Sequence, residues 1–173
     1  INRNKNILIT SYLMKGDEDI SISPVFSGKI NISWNLSLTG RTSAFSNDKR
    51  AIHSYGWGIS LKPGQSEDNS AWSFHYNSGS FKSYNMISIS SASTSIIHRL
   101  SLKRLNLFFG YSANTLSGID YTSNDYNISK KFDKHHSYFS LGTMIDFKGI
   151  QLSPSFLYGG DYKMLSFGLQ NQF

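Results

Sequence analysis

The stretch "KHHSYFS" at 134–140 holds the residue types of nucleophilic chemistry. His135 and Ser137 stand two residues apart, and on a strand that spacing puts both side chains on one face, where an imidazole can take the hydroxyl proton. A working pair needs an acidic or amide group to orient the ring. Asp146 is the nearest carboxylate on the same segment, but it lies nine residues from Ser137 and on the opposite parity. Without that third group, the stretch reads as a basic, His-containing loop running into a strand.

Metal chemistry is no better supplied. His135 and His136, with Asp133 beside them, are nitrogen and oxygen donors, yet adjacent strand residues point to opposite faces and chelate poorly together. Asp120, Asn124 and Asp125 carry oxygen ligands without the regular spacing of a dedicated Ca²⁺ loop. The chain has no cysteine, which excludes disulfides, zinc–thiolate sites and a thiol nucleophile. No metal and no cofactor is expected. The sequon matches at Asn31, Asn35 and Asn127 are chance, and "GWG" and "SGSF" cradle no phosphate because no helix follows.

The elements that position these residues are strands. Alanine, glutamate and leucine runs are scarce, no 3.6-residue period is sustained, and no stretch approaches the roughly 18 apolar residues of a membrane-spanning helix. Period-two alternation recurs instead: Leu165, Phe167 and Leu169; Ile150, Leu152, Phe156 and Tyr158; Phe139, Leu141 and Ile145; Leu105, Leu107, Phe109 and Tyr111, with Phe108 out of pattern. Ile30 to Leu38 is the cleanest run, whereas His98 and Ile97 blur another, and "KSYNMISIS" at 82–90 changes parity. Tight turns are expected at 103–104 and 148–149, and long polar loops at 62–70 and 117–136, placed at opposite ends. Strands of about 9 to 11 residues fit the 173-residue chain ten times, with eight or twelve as alternatives.

The parity opposite the apolar one is mostly Ser, Asn, Gln and Gly, and charged residues are only 16% of the chain. A soluble sandwich or lipocalin-like barrel would show Lys, Glu and Thr there, facing water. Small neutral polar groups suit a confined lumen, where they bond laterally without burying charge. Aromatics placed near strand ends, including Trp57, Trp72, Tyr111, Phe147 and Tyr158, match an interfacial girdle. The expected fold is therefore all-β: residues 1–173 form a single transmembrane antiparallel up-and-down barrel of about ten strands. Its lumen would be lined by Lys29, Arg41, His75, Arg99 and Asp146, a set more cationic than anionic. The net charge of +6 is scattered along the chain, so no nucleic acid partner is expected.

The closing strand, with Leu165, Phe167 and Leu169 before a terminal Phe173, resembles the C-terminal signal of bacterial outer-membrane barrels, with Asn171 departing from strict alternation. The resemblance implies integral residence in the bacterial outer membrane, contact with its lipid and lipopolysaccharide, and recognition by the barrel-assembly machinery. The Asn/Ser/Lys/Ile-rich style resembles Bacteroidota outer-membrane proteins, and a start at Ile1 without a basic-then-apolar leader fits a processed chain or a fragment. His135 and Ser137 also resemble the His-x-Ser motif of outer-membrane lipid hydrolases, except that Tyr138 stands where those enzymes have Asn. The expected role is non-catalytic: a structural or accessory subunit of a larger outer-membrane complex. A small passive channel with mild anion preference is the alternative, and a lipid acyl hydrolase the third.

Overall fold

The computed structural model describes residues 5–15, 20–47, 50–64, 71–83, 87–102, 105–121, 130–147, 150–160 and 162–172. Ten strands follow in chain order: β1 (Lys5–Lys15), β2 (Ile20–Asn31), β3 (Leu36–Asn47), β4 (Arg50–Leu61), β5 (Trp72–Ser83), β6 (Ile87–Leu102), β7 (Leu105–Asp120), β8 (Lys130–Phe147), β9 (Ile150–Gly159) and β10 (Tyr162–Gln172). Each strand pairs antiparallel with its neighbours in sequence, and β1 pairs with β10 to close the barrel. Closure satisfies the backbone groups that an open sheet would leave at its edges, which is the condition for crossing lipid with strands.

The burial pattern is the inverse of a soluble protein. Among the described residues Leu157 is the only buried apolar side chain, whereas the buried polar ones are Ser37, Ser43, Ser73, Ser112 and Ser166. Outside, Phe139 is 64% and Leu141 60% exposed, in a wall continued by Trp57, Trp72, Tyr111 and Tyr158. An apolar surface that encircles the molecule cannot be hydrated at reasonable cost and belongs in hydrocarbon. The fold is a membrane-spanning β-barrel of outer-membrane type. Among the described residues no helix is long and apolar enough to cross a membrane.

The strand boundaries depart from the alternation in instructive places. The run Ile30–Leu38 is not one strand: residues 32–35 form the turn between β2 and β3, held by Ile32 N–H to the Leu36 carbonyl at 2.9 Å and Leu36 N–H to Ser33 Oγ at 3.1 Å. Ile32 and Trp34 keep the apolar rhythm through the turn because both remain exposed at the rim of the apolar belt, where a Trp is stable. The parity change at 82–90 is the joint between β5 and β6. The 117–136 loop is shorter than expected, since β7 runs to Asp120 and β8 starts at Lys130. The 62–71 connection does not oppose the short turns: by the up-and-down topology it shares their rim, together with the end of β10. The loop after Asp120 lies on the other rim.

Phe108, which breaks the outward pattern, points inward and is seated on Gly142 of β8. A Cβ at Gly142 would come 2.7 Å from Phe108 Cε1 and 2.7 Å from the Pro154 carbonyl oxygen. Because the carbonyl belongs to the sheet, it cannot swing away. Gly142→Ala is expected to destabilise the barrel by about 1–3 kcal/mol in urea unfolding from lipid vesicles. Gly40→Ala, with nothing within 4 Å of its Cβ, should change little. Equal stability of the two variants would mean that Phe108 is not seated there.

Candidate functional site

Strand registry assigns the inward face. Leu61, Phe74, Ile96, Tyr111, Phe139 and Tyr158 are consecutive cross-strand partners on the outside. The alternate residues therefore line the lumen, among them Lys29, Arg41, His75, Arg99 and Asp146. Lys29, His75 and Arg99 each lie within a few residues of the strand ends at the rim shared with the end of β10. Lys62, which immediately follows β4 and is not expected from the sequence, belongs with them.

The cations act on one another. His75 has Lys29, Arg99 and Lys62 as electrostatic neighbours, and Lys29 has Arg99 and Lys62. The His75 ring is pinned to the wall by hydroxyls on both sides: Nδ1 lies 2.7 Å from Ser60 Oγ, and Nε2 2.9 Å from Ser73 Oγ. Ser73 Oγ donates to the Ile97 carbonyl at 3.5 Å, so it accepts from Nε2–H and leaves Nδ1 to accept from Ser60. Arg41 lies across two glycines of the neighbouring strands. A Cβ at Gly56 would stand 2.7 Å from its Nε, and one at Gly79 would stand 3.4 Å from a terminal guanidinium nitrogen. The glycines let a long cation lie along the wall instead of plugging the barrel.

Asp146 sits on β8, away from this group, and accepts a 2.9 Å hydrogen bond from Gln151 Nε2. Arg99 stays exposed although it points inward. The lumen wall is polar and positively charged towards this rim.

His135 and Ser137 share the outward face, above Phe139, and both are exposed. The His135 ring meets Thr115 Oγ1 at 3.2 Å through Nδ1. Asp146 is inward and near the far rim, so it does not orient His135. Ser137→Ala is expected to leave the acyl-chain content of phospholipid and lipopolysaccharide incubated with the protein unchanged from wild type. A wild-type hydrolysis that vanished in the variant would install the pair as a nucleophile. His136 points inward, opposite His135, and among the described residues no three His, Cys, Asp or Glu side chains are grouped to hold a metal. Asn124 and Asp125 lie outside the described residues, as does Phe173, whereas Leu165, Phe167 and Leu169 face outward on β10.

No family model matches the sequence, and no curated protein sequence is significantly similar to it. Solved structures do match in fold. A KdgM porin in complex with disordered oligogalacturonate superposes with a TM-score of 0.50 at 10% identity, covering 97% of this chain and 99% of that one. The β-domain of the Bordetella autotransporter BrkA gives 0.48 at 11% identity, covering 99% of each chain. The N-terminal β-barrel domain of Pseudomonas aeruginosa OprF gives 0.42 at 9% identity, covering 99% of this chain and 100% of that one. At these identities the likeness concerns the fold.

Proposed function

We propose that the protein is an integral barrel of the bacterial outer membrane whose lumen is a narrow, water-filled passage favouring anions. The observation that carries this reading is the inward cation pair of Lys29 and Arg99, joined at the rim by Lys62, with Arg41 further along the lumen wall on β3. Rings of Arg and Lys are the means by which anion pores select. The structural likeness to a porin in complex with oligogalacturonate, an acidic sugar polymer, is compatible with that selectivity. The test is electrical: purified protein in planar bilayers should give discrete current steps carried mainly by chloride. A folded barrel that never conducts sinks the proposal.

A second reading rests on a different observation. β8 pairs with β9 only from Phe139 onward, and β9 ends at Gly159 beside Tyr138, so Lys130–His136 extends past β9 as an overhang on the rim opposite the end of β10. Such an overhang suits a subunit docked beside a larger outer-membrane protein. The native mass after gentle extraction decides this: migration as one 19.5 kDa chain in detergent argues against docking, and co-migration with a large partner supports it. In either case, outer-membrane lipid and lipopolysaccharide would surround the barrel, and the alternating end of β10 would serve the barrel-assembly machinery.

A further inference from the structure

The inward face from β6 to β9 carries Ile97, Phe108, Leu116, Phe132, Met144 and Leu157 among polar residues such as Ser112, Lys134 and Ser140. Two of these rings are seated on glycines of adjoining strands: Phe108 on Gly142, and Phe132 on Gly118, where an added Cβ would stand 2.7 Å from Phe132 Cζ. Phe108 is the direct cross-strand partner of the inward Arg99, and Ile97 is its neighbour on the same face of β6. An inward arginine with an aromatic residue beside it across the strands and a branched alkyl residue next on its own face is a site for an anion with an apolar body.

We infer that the passage selects carboxylates carrying an aromatic or aliphatic body over small hydrophilic anions of equal charge, with Arg99 holding the carboxylate and Phe108 and Ile97 holding the body. The inference rests on the anion passage proposed above and adds the class of solute. Chloride or acetate passing this stretch of wall loses water against Phe108 and Ile97 and regains nothing there. A phenyl carboxylate removes its own ring and theirs from water together. In a pore that sorts by charge and size alone, the smaller acetate would pass more easily than benzoate.

The experiment compares sodium acetate with sodium benzoate on the wild-type barrel in planar bilayers, reading permeability relative to chloride from reversal potentials and the block of chloride current by each anion. Benzoate is expected to exceed acetate by about threefold or more in one or both readouts. Phe108→Ser and Ile97→Ser, each first shown to fold by its heat-dependent shift on gels, should return benzoate to or below acetate while keeping chloride preferred over sodium. A chloride-selective wild-type pore that passes acetate as well as benzoate, and is blocked equally by both, overturns this inference and leaves the anion passage standing. A benzoate preference that survives both substitutions overturns the assignment to this wall. A folded barrel without conductance overturns both.

Discussion

Replacing Arg41 and Arg99 together with glutamate is expected to reverse the ion preference of the barrel, so that the reversal potential in a potassium chloride gradient changes sign. Each exchange puts a negative charge where a positive one stood. Both side chains point into the lumen, Arg41 from the middle of β3 and Arg99 near the rim shared with the end of β10. Among the described inward residues the opposing charge near this rim is Asp146, which is engaged by Gln151 at 2.9 Å. Selectivity in a narrow pore follows the sign of the fixed charge because the walls focus its field on the permeating ion. The effect should be largest near 0.1 M salt, where the Debye length is about 10 Å, and should shrink at 1 M, where it is about 3 Å. Glutamine at the same two positions should lower the chloride preference without reversing it. An undiminished chloride preference in the glutamate variant would mean that ions do not pass these arginines.

The second large effect is on the outside. Leu141→Arg, well inside β8, is expected to cost about 2–4 kcal/mol of folding stability in lipid vesicles. Leu141 is 60% exposed, flanked across the strands by Phe109 and Phe156. In a water-facing sheet the same exchange would stay within about 0.5 kcal/mol, because an exposed leucine contributes little there. The urea midpoint of refolding measures the difference directly. A Leu141→Arg barrel as stable as the wild type would contradict the lipid-facing assignment of this surface, and with it the membrane-spanning reading of the fold.

Both expectations depend on knowing which face each residue occupies, and most of that is legible in the chain itself. Side-chain parity along a strand is a local property: Leu165, Phe167 and Leu169 fall on one face whatever the strand pairs with. The same rule puts Lys29, Arg41, His75, Arg99 and Asp146 opposite the apolar set. It fails where an apolar residue serves the rim of the belt instead of a strand. Ile32 and Trp34 sit in a turn at the edge of that belt, so their hydrophobicity continues a rhythm that the backbone has already ended.

Phe108 shows the other limit. Its inward place requires a glycine 34 positions away, and nothing near Phe108 in the chain announces that Gly142 will be its cross-strand partner. The same holds for Arg41 over Gly56 and Gly79, for Lys62 joining His75 and Arg99, and for the overhang of β8 past β9. The sequence by itself determined the period-two strands, their number, the apolar outside and the signs of the charges inside, because these follow from alternation and composition along the chain. Only the tertiary structure decided which cations meet and which inward side chains rest on which glycines. Those contacts are set by the register between strands and by the closure of β1 on β10, which are properties of pairs of segments rather than of any one of them.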